Sequence, residues 1–194
     1  MIVSLEGLPG AGKTTTARLL ANRPGVAYTH ERSSEHPFLE AFYADVERYK
    51  LETELCFVLL HYHQYRDLRD SDGGHVVLDY SPVKDLIFAD LNLTGNDYDV
   101  FLALYEHTSG SLRLPDVTVY LDLGIDHTLE RIRTRDRPYE REIDPGYVRR
   151  LSDAYAARLE QLGQRVERVS IERSWTTEQV ADAVADAVGL DRSP

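Results

Sequence analysis

Gly7-Leu8-Pro9-Gly10-Ala11-Gly12-Lys13-Thr14-Thr15 lies directly behind the apolar run Met1 to Leu5 of a 194-residue chain, and its reading decides the fold. It fits the pattern G-x-x-x-x-G-K-[ST], a loop that binds phosphate. Glycines at 7, 10 and 12 allow a tight turn in which successive N–H groups converge on an anion. Lys13 then reaches the β- and γ-phosphate oxygens of a nucleotide, and the Thr14 hydroxyl can hold Mg²⁺. A strand-like run (Ile2, Val3, Leu5) precedes the loop. A helix-like run (Thr15 to Asn22) follows it, so the phosphate would meet the positive end of a helix dipole. The expected nucleotide contacts are Gly7, Gly10, Ala11, Gly12, Lys13, Thr14 and Thr15.

The length suits one domain, taken as residues 1–194, that can bury a core without disulfides or structural metal. The single cysteine, Cys56, leaves no internal disulfide to form. No apolar run approaches the roughly 18 residues of a membrane span, and Met1 leads straight into the first strand, which leaves no room for a signal peptide. A cytoplasmic protein without membrane contact is expected. A formal net charge of −11 repels a nucleic-acid backbone, so a polynucleotide substrate is not expected. Against that background Arg131, Arg133, Arg135, Arg137 and Arg141 form a local basic cluster suited to a small anion.

Outward from the loop, apolar runs recur with helix-period segments between them: Ile2 to Leu5, Gly25 to Thr29, His75 to Leu78, Val117 to Leu121 and Arg165 to Ile171. This alternation predicts an α/β fold, a five-stranded parallel sheet with helices on both faces. Nucleotide should sit at the carboxyl ends of the strands. An insertion over about 36–72 reads as two helices, one after Pro37 with Phe38, Leu39, Phe42 and Val46, the other from about Leu51 to Arg69 with Leu55, Val58, Leu59 and Tyr62 at helical spacing. Gly95-Asn96 reads as a turn between helices at Pro82 to Leu91 and Tyr98 to Ser109. Asp126 to Arg133, Tyr147 to Leu162 and Thr177 to Val188 complete the helices. Residues 131–142 read as a lid and 189–194 as a frayed tail. Asp79, ending the apolar run Val76-Val77-Leu78, is the second candidate metal-holding residue, with an ordinary cap or turn as the alternative.

The order of these features resembles the deoxynucleoside kinase family of P-loop NTPases, particularly its compact bacterial purine-nucleoside members, from about Ile2 to Leu159. The resemblance rests on His30-Glu31-Arg32-Ser33, on Pro37-Phe38-Leu39-Glu40 with Phe42-Tyr43, on Asp79-Tyr80-Ser81 with Asp85 and Ile87-Phe88-Ala89, and on Arg131 to Glu140. It implies a three-layer fold with a helical acceptor-site insertion and an arginine lid. It also implies transfer of the γ-phosphate of Mg-ATP to the 5′-hydroxyl of a nucleoside or nucleoside-like small molecule, and a homodimer. By the resemblance Glu31 is the base, Arg135 and Arg137 stabilise the transferred phosphoryl group with Arg131 beside the nucleotide, and Tyr43 and Glu140 hold the sugar 3′-hydroxyl. A carboxylate suits this chemistry because a hydroxyl is a poor nucleophile until its proton is drawn off. Guanidinium groups suit it because charge spreads over the equatorial phosphoryl oxygens.

Three positions depart from the family pattern. Glu54 stands where a Gln reads the base, His61 where a helix Arg is usual, and Tyr80 where the motif has Arg. Positions 54 and 61 are two helical turns apart and share a face, which Asp85 could join. An ionised Glu54 only accepts hydrogen bonds and so suits an edge with two donors, such as the N1–H and 2-amino group of guanine. A pair between Glu54 and Lys50 is the structural alternative. Tyr80 removes a cation from beside the acceptor oxygen, which puts ordinary deoxynucleosides in doubt as substrates. Two other functions stay open, a nucleoside monophosphate kinase using Arg32 and Arg48, and a nucleotide-dependent switch. His61 and His63 make no metal site, and Trp175 is assigned to core packing ahead of the donor site.

Overall fold

The computed structural model describes residues 1–68, 74–135 and 143–190. Five strands, β1 (Ile2–Glu6), β2 (Val26–Thr29), β3 (His75–Leu78), β4 (Val117–Asp122) and β5 (Arg165–Ser170), lie in the order β2-β3-β1-β4-β5. Every pairing is parallel, with Val3 opposite Val77 on one side of β1 and Val117 on the other. The central strands β1 and β4 are buried over nearly their whole length, which is why they read as continuous apolar runs. Five strands with helices on both faces is the P-loop NTPase arrangement expected from the sequence.

Helices α1 (Lys13–Leu20) and α8 (Thr177–Val188) cover one face, where Ala17, Leu20, Val180 and Val184 pack on Val3, Leu5 and Val119. On the other face α4 (Pro82–Asn92), α6 (Ile125–Arg135) and α7 (Pro145–Glu160) bring Ile87, Ile132, Leu151 and Tyr155 together around Leu8 and Tyr120. The insertion forms α2 (Leu39–Ala44) and α3 (Val46–Asp67), which packs with α5 (Gly95–Ser109) through Val58, Leu93 and Phe101. Trp175 packs against the α1/α8 core.

Several boundaries differ from those read off the sequence. Val46 belongs to α3, which starts there because the Asp45 side chain caps it by accepting from Arg48 N at 3.3 Å. Gly95 opens α5 after the extended Thr94 instead of making a separate turn. The first two residues of the expected frayed tail are ordered, since Gly189 closes α8 in the left-handed region and Leu190 is buried against the core, while 191–194 lie outside the described residues. Arg135 ends α6, and the rest of the lid lies outside the described residues. The largest difference is the face of α3: Leu59 is 51% exposed, while Thr53, Glu54, His61 and Gln64 are buried. The helix turns polar groups inward because it walls a polar site, which apolar periodicity cannot register.

The loop enters α1 through Gly12, whose φ of 95° places it in the left-handed region. Gly7 is the tighter constraint, because a Cβ there would lie 2.8 Å from the Leu121 carbonyl oxygen of β4. Gly7→Ala must therefore push the loop off β4, and we expect a loss of about 1–3 kcal/mol in unfolding free energy together with weakened nucleotide binding. Denaturant titration and calorimetry check this; wild-type stability and affinity in the variant would contradict it.

Candidate active site

A cavity of about 970 Å³ opens at the carboxyl ends of the strands. The loop lines one end with Gly7, Gly10, Ala11, Gly12, Lys13, Thr14 and Thr15. Glu31, Tyr43, Glu54 and Asp85 line the other, and Asp79 with Arg131 and Arg135 of α6 also belongs to the wall. The sequence-derived donor and acceptor residues thus share one space. Arg137 and Glu140 lie outside the described residues. His61 and Tyr80 do not line the cavity. Both are buried behind its wall, so the expectation that they touch the acceptor directly gives way to a supporting place.

At the donor end Lys13 Nζ donates to Gly7 O at 2.6 Å and to Leu8 O at 3.3 Å, at the mouth of the loop. Burial lowers its pKa, partly offset by the nearby Glu6 carboxyl. Arg131 reaches over the loop: a Cβ on Gly12 would lie 3.6 Å from its Nη1. Asp79 gathers three donors, Thr14 Oγ1 at 2.5 Å and Tyr28 OH at 2.9 Å on Oδ2, and Glu31 N at 2.7 Å on Oδ1. The Thr14 hydroxyl and the Asp79 carboxylate are thus adjoining oxygen donors, a set whose chemistry fits Mg²⁺. Among the described residues no group of three or more His, Cys, Asp or Glu is placed to hold a metal ion by itself.

At the acceptor end Glu31 is held from several sides. Gln64 of α3 brackets its backbone, donating to His30 O at 2.8 Å and accepting from Arg32 N at 3.3 Å. Lys84 Nζ donates to Glu31 Oε1, and His61 Nε2 lies 3.3 Å from the same oxygen. His61 Nδ1 is 2.8 Å from Asp85 Oδ1, and its ring stacks on Tyr80 with centroids 4.7 Å apart. Burial alone would raise the Glu31 pKa, but Lys84 and His61 override it and hold the carboxylate well below its usual range. Burial likewise opposes charge on His61, yet Asp85 and Glu31 lift it to about 9. At neutral pH the row Asp85, His61, Glu31, Lys84 therefore alternates in sign.

Glu54 departs from its expected chemistry. Asn92 Nδ2 donates to its Oε1 at 2.7 Å, while Lys50 pairs with Glu47 at 2.6 Å, so the Lys50 alternative does not hold. Burial pushes the Glu54 pKa up to about 8, only partly opposed by Asn92, and Asp85 adds to the rise. A protonated carboxyl both donates and accepts, as an amide does. With its pKa raised in this way, Glu54 can donate as well as accept toward a base edge.

Two residues were missed in the sequence. Glu6, ending the apolar β1, is fully buried and accepts from Ser81 Oγ at 2.7 Å and Tyr155 OH at 2.9 Å. Lys84 stands beside Asp85, and only its place in the first turn of α4 next to a motif carboxylate could have flagged it.

The Glu54 shift makes stability depend on pH with a definite sign. Between its ordinary value of 4.5 and about 8 the folded protein keeps a proton that the unfolded chain has released, so this group's contribution falls as pH rises through that window. Glu54→Gln lacks the penalty. We expect its thermal midpoint to exceed that of the wild type above pH 8, with the gap closing toward pH 5. Parallel pH curves for the two proteins would contradict it.

Comparison with known proteins gives this geometry a context. The sequence matches the family described as deoxynucleoside kinase over residues 3–189. It is 29% identical over 163 residues to a deoxyguanosine kinase of Bacillus subtilis (strain 168), covering 82% of this chain and 79% of that protein. It is 28% identical over 175 residues to a deoxyadenosine kinase of Dictyostelium discoideum, covering 87% and 71%. A solved deoxyadenosine kinase from M. mycoides with bound dATP superposes with a TM-score of 0.83 at 19% identity, over 97% of this chain and 100% of that one, which shows a shared fold. With 187 of its residues spanned by the match and a phosphate loop facing a carboxylate across one cavity, the chain belongs to the deoxynucleoside kinase family.

Proposed function

We propose that this kinase uses Mg-ATP to phosphorylate the 5′-hydroxyl of a nucleoside, with Glu31 as base and a purine deoxynucleoside as the acceptor class. The observation that carries this reading is the Glu31 carboxylate facing the same cavity as the phosphate loop. The named relatives that act on deoxyguanosine and deoxyadenosine support the acceptor class. Tyr43 is the proposed sugar contact. Glu54, held by Asn92 through its Oε1, is the proposed base contact, presenting both donor and acceptor.

The step then follows from positions. Lys13 and the loop amides hold the β- and γ-phosphates, with Arg131 and Arg135 over them. Mg²⁺, held by Thr14 and Asp79, would neutralise charge on the phosphate oxygens. Glu31 accepts the hydroxyl proton as the bond from O5′ to the γ-phosphorus forms, and the bond from that phosphorus to the bridging oxygen breaks to release ADP. Arg137 and Glu140 remain proposed for the lid and the sugar on the resemblance alone.

The monophosphate kinase alternative needs cations for an anionic acceptor, and its two candidates do not line the cavity. Arg32 lies 3.9 Å from Glu35, and Arg48 lies over the ring of Tyr49. A cytoplasmic homodimer belongs to the proposal. Its support is the family resemblance and the exposure of Leu59 on α3 and Val100 on α5, two helices that pack on each other.

Lys13→Ala should abolish phosphate transfer. Glu31→Gln should lower kcat by about 10²-fold or more while nucleotide affinity stays within about threefold. Steady-state kinetics with deoxyguanosine and deoxyadenosine, each beside its monophosphate, checks both; faster turnover of the monophosphate, or full kcat in Glu31→Gln, would contradict the reading. Light scattering should give a particle of about twice 22.1 kDa, and a monomer at micromolar concentration would remove the dimer.

A further inference from the structure

We propose that Lys84 is the positioning residue of the acceptor half, fixing Glu31 by one carboxylate oxygen so that the other meets the substrate hydroxyl. The inference rests on the reading of Glu31 as the base. It goes beyond that reading by assigning the base a dedicated cation partner.

The place of Lys84 is unfavourable unless it serves this purpose. It is the third residue of α4, in a first turn where the helix dipole disfavours a positive charge. Its side chain is only 16% exposed, and burying an ammonium group is costly without partners. The partners are specific. Nζ donates to Glu31 Oε1 and lies 5.2 Å from the Phe57 ring centroid and 5.7 Å from that of Phe88. The nearby carboxyls of Glu6 and Asp85 add to the negative field that keeps it charged.

The contact also selects one oxygen of the base. Lys84 makes the hydrogen bond to Oε1, whereas His61 Nε2, at 3.3 Å, approaches the same atom without the alignment of one. No described residue donates to Oε2. Glu31 lies two residues beyond β2 and has three rotatable side-chain bonds, so without a fixed Oε1 its second oxygen would sample many directions. A misaimed base forfeits the near-attack geometry on which transfer depends.

The position after Asp79 cannot supply this charge. Tyr80 is fully buried, stacked on His61, and its ring packs edge-on against Tyr65 at 5.6 Å. Lys84, one helical turn further along the chain, brings a cation to the acceptor end from α4. The cation that Tyr80 removes from the motif is thus restored from another position, and the doubt that Tyr80 cast on ordinary deoxynucleosides as substrates no longer applies.

A double-mutant cycle tests the assignment. Full-length wild type, Lys84→Met, Lys84→Arg, Glu31→Gln and the double variant Lys84→Met/Glu31→Gln are compared for kcat, nucleoside KM, nucleotide affinity and thermal midpoint. Lys84→Met should lower kcat by about 10- to 100-fold with nucleoside KM and nucleotide affinity within about threefold, and Lys84→Arg should recover most of the loss. In the double variant both members of the charge pair are gone, so folding is not compromised by an unpaired charge. Its kcat should match that of Glu31→Gln alone, because Lys84 acts only through Glu31. An unchanged kcat in Lys84→Met, a loss confined to KM or nucleotide affinity, or additive losses in the double variant would overturn the assignment. Full kcat in Glu31→Gln would instead remove the base and leave the defect with the reading beneath it.

Discussion

The hydrogen bonds converging on Asp79 are the constraint on which the rest of the site depends. One carboxylate at the end of β3 accepts from Thr14 at the start of α1, from Tyr28 in β2 and from the backbone of Glu31 just beyond it. Thr14 comes from the helix behind the phosphate loop, the other two from β2 and the residues just beyond it, and the parallel sheet brings these segments to Asp79 at its carboxyl edge. The phosphate loop and the base are therefore set relative to each other by a shared acceptor rather than by independent loops. A charged acceptor makes each of these bonds stronger than a neutral one.

Around that anchor the site alternates in sign. Lys84 meets Glu31, which meets His61 and then Asp85, while Glu6, whose pKa burial raises against the pull of Lys13 and Lys84, lies close to both lysines. Buried charge at this density stabilises a fold poorly, since desolvation offsets most of the attraction. It does hold side chains in one arrangement, which phosphoryl transfer needs, because positioning and electrostatic stabilisation carry most of that reaction. The polar inner face of α3 belongs to the same arrangement: Gln64 and His61 steady Glu31 while Glu54 faces the cavity.

The fold was legible because its signals are local. Five β-branched runs, a glycine-rich loop and amphipathic helices each announce themselves over a few residues, and the parallel sheet follows from their alternation. Glu31, Asp79 and Asp85 were legible because they stand at strand ends or in a recognisable motif. Lys84 was not, because a lysine in a first helical turn normally points to water and only tertiary contact with Glu31, beyond β2, reverses that. Glu54 was found but read as ionised, since sequence shows a carboxyl and not the desolvation that raises its pKa. The α3 boundary and its inward face were misread for a related reason: apolar periodicity finds cores, and this helix buries Thr53, His61 and Gln64 instead.

The account stands or falls on whether the acceptor hydroxyl meets the base that Asp79 and Lys84 hold in place. A crystal structure of the protein with Mg²⁺, a non-hydrolysable ATP analogue and deoxyguanosine tests this most directly. The account predicts the 5′-oxygen within hydrogen-bond reach of Glu31 Oε2, in line with the γ-phosphate, with Lys84 still on Oε1. A 5′-oxygen held by another group, with Glu31 turned away from it, would contradict the account.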